Sequence, residues 1–167
     1  MKPFRLWIFK VLTAWLPESR GFWVKCALLR WAGAKVGQNV RIYSSARIVG
    51  TGSLEIGDDV HIGSGVFLSA AAPTGIMIGC HVDIGPGAMI LTGSHRIDPV
   101  GEHIAGEGTS AAVSIGDGCW LGARSVILPG VILARKTLVA AGAIVTKSVE
   151  STQQLVAGIP AAVKRPV

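Results

Sequence analysis

Little in the sequence points to covalent or metal cross-linking. Cys26, Cys80 and Cys119 are odd in number and far apart, with no Cys-x-x-Cys and no histidine pair at zinc spacing. A disulfide framework and a structural metal site are therefore not expected, and a reducing, cytoplasmic setting is the simple inference. Acidic residues are nearly missing from residues 1–35, where Lys2, Arg5, Lys10, Arg20, Lys25, Arg30 and Lys35 face Glu18 alone. Residues 36–167 carry nine basic and nine acidic side chains, so the formal charge of +6 belongs to an arm and not to the body. That arm holds no nucleic-acid-binding motif, and no nucleic-acid partner is expected.

A long hydrophobic run is absent too. Residues 4–16 are rich in apolar side chains, but Arg5 and Lys10 interrupt them and no small-residue cleavage site follows. Neither a spanning segment nor a signal peptide is expected. Trp7, Ile8, Val11, Leu12 and Trp15 recur at helical spacing and predict an amphipathic helix ending before Pro17. Ser19 reads as the cap of a second helix over 20–32, stopped by Gly33. Four of the five tryptophans lie in this arm beside the basic residues, the composition of a helix lying in a membrane interface. The same apolar face would serve to cover the end of the body or to pack on a neighbouring subunit, the commoner use of such a stripe.

What the chain does have is small and β-branched residues, 22 glycines and a beat of six. Val36, Ile42, Ile48; Ile56, Ile62, Leu68; Ile78, Ile84, Ile90; Ile115, Leu121, Ile127; and Leu133, Val139, Val145 mark five blocks of eighteen residues. Four positions after each sits another small or apolar residue, Ala72 and Ser94 among them, and both positions are expected to point inward. The leftovers, 54–55, 74–77 and 96–114, all fall between complete blocks. If one block is one turn of a three-sided coil, every insertion leaves from the same edge. The fold expected is an all-β solenoid of about five such turns, each burying its aliphatic residues against the next. Its organisation is a basic helical arm over 1–35, a repeat body over 36–150 with an extended loop at 96–114, and a capping tail over 151–167.

The segments Ile115-Gly116-Asp117-Gly118-Cys119-Trp120-Leu121-Gly122-Ala123-Arg124, Ile127-Leu128-Pro129-Gly130-Val131 and Val156-Ala157-Gly158-Ile159-Pro160-Ala161 resemble the hexapeptide-repeat acetyltransferases. Within them the likeness is to the maltose, galactoside and colanic-acid-type sugar O-acetyltransferases, and it covers about 36–165. The resemblance implies a left-handed parallel β-helix, a homotrimer with active sites between subunits, acetyl-CoA as co-substrate without a metal, and a sugar as acceptor. Surface polysaccharide biosynthesis is the implied setting; the arm's own composition would suit a lipid-linked glycan acceptor and peripheral membrane contact.

Thr92-Gly93-Ser94-His95-Arg96-Ile97-Asp98-Pro99 resembles the maltose-type enzymes around their catalytic histidine, and His95 stands at the root of the long insertion. Transfer from a thioester to an alcohol requires removal of a hydroxyl proton, and an imidazole, with an ordinary pKa of about 6.5, takes it at neutral pH. His95 is therefore the expected general base. Asp98 either orients its ring or begins a turn before Pro99. No nucleophile elbow is present, so direct transfer is expected; Ser94 is a weak rival nucleophile, because its hexad position points into the coil. Backbone amides near Trp120 to Ala123 are candidate oxyanion donors. By resemblance, Trp120, Ala123 and Ala141 lie along the coenzyme groove, while Thr146, Lys147 and Arg165 meet its nucleotide end. His61 and His81 read as solvated residues at outward or corner positions, and His103 as a loop residue with or without a substrate contact.

The likeness has gaps. The galactoside enzyme's sugar-contacting asparagine and aspartate fall here near Gly65 and Pro73, and an arginine of its coenzyme site falls at Ala162. The alternatives are a serine or amine acceptor, or a non-catalytic β-helix scaffold. A γ-type carbonic anhydrase on the same fold would need three zinc-binding histidines, and the chain lacks a His-x-x-x-x-His pair.

Overall fold

The computed structural model describes all residues, Met1–Val167. Helices α1 (Pro3–Ala14) and α2 (Phe22–Trp31) precede a parallel β-solenoid of three faces. The first face stacks Lys35–Val36, Ser53–Ile56, Gly75–Ile78, Val113–Ile115 and Ile132–Leu133 in that order. The second stacks Arg41–Ile42, His61–Ile62, Asp83–Ile84, Trp120–Leu121 and Leu138–Val139, then gains Gln154–Gly158 and Ala161–Pro166 from the C-terminal hairpin. The third stacks Arg47–Val49, Phe67–Ser69, Met89–Leu91, Val126–Ile127 and Ile144–Val145. The coil is the left-handed β-helix.

The beat of six is the packing rule. Of the fifteen aliphatic positions, all but Val36 are buried, and Ile42, Ile62, Ile90, Leu121, Ile127 and Val139 are 0% exposed. Each such side chain stacks on its counterpart in the neighbouring turn, as in the pairs Ile62 with Ile84 and Leu121 with Val139. Burying one contributes about 1.5–3 kcal/mol, so short strands of two or three residues are held by the column rather than by their own length. At the corners between the first and second faces the chain reverses through left-handed residues, Asn39, Asp59, His81 and Lys136. His81 is thus a corner residue, with Nδ1 3.6 Å from Asp59. His61 instead stacks its ring on Tyr43 at 5.3 Å and is half-buried, which differs from the solvated reading.

Several expectations need correction. Residues 54–55 and 74–77 do not leave the coil as insertions; they lengthen the first-face strands, and Leu54 and Ile76 are buried there. Ala72 and Ser94 are exposed rather than inward, because the third-to-first corner widens and the chain departs there. Thr92 takes the inward place. Its hydroxyl accepts the Ala71 N–H at 2.7 Å and donates to the Ser69 carbonyl at 3.3 Å. The segment beyond it is no structureless loop, since Gly93–Ile97 and Ala105–Ser110 pair as an antiparallel hairpin.

The arm differs as well. Gly21, not Ser19, precedes α2, with a left-handed backbone and no side-chain cap. The α1 face that packs on the coil is Leu6, Phe9 and Thr13, leaving most of the tryptophan stripe outside. The two helices close the open end of the first turn, α1 against the third face and α2 against the first and second. Lys25 is buried, donating to the Pro17 and Glu18 carbonyls at 3.2 and 2.9 Å, and this burial pushes its pKa down. It ties the link between the helices.

The thiols give a simple check on the rigidity of the coil. Burial pushes the Cys26 and Cys119 thiols up, whereas Cys80 is partly exposed at a corner. One thiol per chain is expected to react with a disulfide reagent in the native protein and three after denaturation. Rapid native reaction of all three would show that the turns open.

Candidate active site

His95 lies on the first strand of the hairpin and is exposed. Its position is set from below by the Thr92 anchor and by the Ala111 N–H, which donates to the Thr92 carbonyl at 2.9 Å. Across the hairpin His95 faces Gly108, and the register slips between His95 and Ile97. That bulge brings the Gly106 carbonyl to 2.8 Å from His95 Nδ1. A carbonyl only accepts, so in the neutral ring Nδ1 carries the hydrogen and Nε2 is left with a free lone pair. The arrangement prepares one nitrogen to take a proton.

Gly106, whose carbonyl meets the His95 ring, is the candidate site residue that sequence reasoning missed. A Cβ there would lie 2.8 Å from the Asp98 Cβ and 3.1 Å from the Arg96 carbonyl, so any side chain would push apart the strand that presents the acceptor. The available signal was a glycine-rich second strand, Ala105-Gly106-Glu107-Gly108, inside the insertion. Asp98 makes no hydrogen bond to the imidazole. Its carboxylate accepts the N–H groups of Val100 and Gly101 at 3.1 and 2.9 Å, which is the turn role. Ser94, exposed beside His95, makes no hydrogen bond to the ring; neighbouring residues on a strand point to opposite sides.

A cleft of about 730 Å³ opens between residues 71–73 of the coil and the hairpin strands at 93–95 and 108–110, so His95 looks into it. Thr146 and Lys147 lie on the same third-to-first edge, two turns further on, exposed in a cleft of about 360 Å³ shared with Pro160–Val163. Arg165 is exposed on the outermost strand of the second face. Trp120 belongs to the second face, where it lines a separate cleft of about 480 Å³ with Tyr43, His61, Ser64, Asp83 and Pro86. Ala123 and Ala141 stack at the second-to-third edge. Within one chain the expected coenzyme residues are therefore divided between two edges and a face. The amides of Trp120 and Gly122 are spent on the carbonyls of Thr137 and Val139, at 3.0 and 2.8 Å. The Ala123 amide donates to no acceptor in the chain.

The chain is thus a triangular parallel coil with one hairpin excursion, which carries a histidine whose second ring nitrogen is free. Residues 33–70 and 112–147 match the family model described as the hexapeptide repeat of succinyl-transferase. The chain is 34% identical over 146 residues, 86% of its length and 76% of the relative's, to WcaF of Escherichia coli (strain K12), provisionally named a colanic acid biosynthesis acetyltransferase. It is 33% identical over 115 residues to the galactoside O-acetyltransferase of Lactococcus lactis, covering 66% of this chain and 55% of that enzyme. Among solved structures, a hexapeptide-repeat-containing acetyltransferase from Vibrio cholerae superposes with a TM-score of 0.75 at 26% identity, over 98% of this chain and 89% of that one. The same Vibrio protein complexed with acetyl coenzyme A gives 0.73 at 26% identity, over 98% and 86% of the two chains. The chain belongs to the hexapeptide-repeat acetyltransferases, and it is an acyltransferase.

Proposed function

We propose that this protein transfers the acetyl group of acetyl-CoA to a hydroxyl of a sugar, as a step in surface polysaccharide assembly. The observation that carries the reading is His95, exposed in a cleft with Nδ1 held by Gly106 and Nε2 free. Nε2 takes the proton of the acceptor hydroxyl as its oxygen attacks the thioester carbonyl carbon. The carbon–sulfur bond then breaks, and the imidazolium returns the proton to the departing thiolate. Atoms balance without an acyl-enzyme, consistent with the absence of a hydrogen bond between Ser94 and the ring.

The division of the coenzyme residues between edges supports a homotrimer. In it, the edge bearing His95, Thr146 and Lys147 would face the second-to-third edge of a neighbouring subunit, where the free Ala123 amide serves the oxyanion and Trp120 and Ala141 border the groove. Lys147 and Arg165 supply cations for the coenzyme's phosphates. Asp98 acts at one remove, shaping the turn behind Gly106. The names of the relatives support a sugar acceptor; a lipid-linked glycan at the cytoplasmic face of the membrane suits the basic arm.

The test is release of free thiol from acetyl-CoA by the purified protein across a panel of mono- and oligosaccharides. Acceptor-dependent release, with an ester product that alkali cleaves, is expected. Coenzyme binding without release to any sugar, but with release to serine or an amine, would overturn the acceptor class.

A further inference from the structure

Helix α1 is apolar on two opposite sides. One side, Leu6, Phe9 and Thr13, is buried against the coil. The other, Phe4, Trp7, Val11, Leu12 and Trp15 at helical spacing, is 70, 59, 39, 47 and 87% exposed. Nothing in the chain covers it. Arg5 and Lys10 lie between the two stripes, and Arg5 stacks over Trp31 at 4.8 Å, joining this face to α2.

The charge around the face decides what fits it. None of Lys2, Arg5, Lys10, Arg20 and Arg30 is paired with a carboxylate. The arm's single carboxylate, Glu18, is turned to the coil, where it accepts the Ser45 N–H at 3.1 Å and bonds the Ser45 hydroxyl. A second copy of the same face would bring like charges together with no acid to offset them. The surface that is apolar and anionic at once is a membrane interface containing acidic lipids: tryptophans seat at headgroup depth and the cations meet the lipid charge. The helix is 12 residues, about 18 Å, and no helix of the chain is long and apolar enough to cross a membrane. It would lie in the interface plane.

We infer that the outward face of α1 docks the protein on an anionic membrane surface, with the first turn of the coil toward the lipid. The attachment is rigid. The Met1 ammonium donates to the Thr51 and Gly52 carbonyls at 3.1 and 3.0 Å, and the Lys2 N–H to the Ala32 carbonyl at 2.9 Å. The hairpin departs from the third turn, two steps of about 4.8 Å beyond the first, above a helix layer about 10 Å thick. His95 is thereby held roughly 20 Å from the interface, at the height of a short glycan carried on a lipid. Only this last point rests on the acceptor proposed above.

Flotation of the full-length protein with vesicles of phosphatidylcholine, alone or with phosphatidylglycerol, tests the inference. Wild type is expected to float with the anionic vesicles only, less so as salt rises, with a blue shift of tryptophan emission. Trp7→Ser/Trp15→Ser is expected to lower binding about tenfold or more, with an unchanged melting temperature, since both rings are exposed. Thiol release with a soluble sugar should persist in that variant, so loss of docking and loss of the catalytic reading register separately. No flotation by wild type would overturn the inference. So would a fall in oligomer mass of the variant by light scattering, which would assign the face to a second copy.

Discussion

His95→Ala is expected to lower acceptor-dependent acetyl transfer about 10²- to 10⁴-fold, the usual contribution of a positioned general base. Stability should hardly change. The ring is exposed and gives up a single hydrogen bond to Gly106, a net contribution of about 0.5–1.5 kcal/mol at most. Calorimetric affinity for acetyl-CoA should also stay near wild type, because in the proposed transfer the imidazole acts on the acceptor's proton and not on the coenzyme. Ser94→Ala serves as the companion. Direct transfer requires it to stay active, whereas a loss matching that of His95→Ala, with acetyl retained on the wild-type protein, would argue for an acyl-enzyme. An undiminished rate in His95→Ala would remove the histidine from the chemistry altogether.

The second large effect concerns the coil. A Cβ on Gly122 would lie 2.5 Å from the Ala141 nitrogen and 2.7 Å from the Val139 carbonyl oxygen, both backbone atoms of the next turn. Those turns cannot separate without losing the Gly122 N–H to Val139 bond of 2.8 Å and unstacking Leu121 from Val139. Gly122→Ala is therefore expected to cost about 4 kcal/mol or more, in the exceptional range for one substitution. Two other glycines calibrate the series. At Gly142 a Cβ meets nothing within 4 Å but φ is +71°, so Gly142→Ala should cost about 1 kcal/mol. At Gly108 a Cβ meets nothing within 4 Å and no left-handed backbone stands in the way, so Gly108→Ala should melt as wild type does. Chemical denaturation of the three variants tests this, and equal midpoints for Gly108→Ala and Gly122→Ala would contradict the stacking argument.

The body of the fold was legible because a solenoid repeats one local rule: a side chain six positions on must fill the same column. Ile42, Ile62 and Ile84 could be placed from spacing alone. The rule fails where the chain leaves the coil. Ser94 kept the beat on paper but lies outside, since Thr92 had already closed the column and the next residues pair with their own returning strand. The α1 stripe misled for a different reason. Spacing finds an apolar face but does not say which of two will meet the body, and Leu6 and Phe9 made the smaller, inward one. The place of His95 at the root of the excursion was readable from spacing; the partner of its ring was not, because Gly106 is eleven residues away and contributes only a backbone carbonyl. The residues expected at the coenzyme were chosen by resemblance, and their division between edges follows from their positions in different hexads of one coil.

The neck at Thr92 and Ala111 has a consequence for how such a protein can change. Val113 resumes the first face directly over Ile76, and Ile115 over Ile78, as if residues 93–110 were not there. The hairpin is thus an interchangeable tool on a fixed handle. Its length and lining can be rewritten while every column of the handle keeps its register.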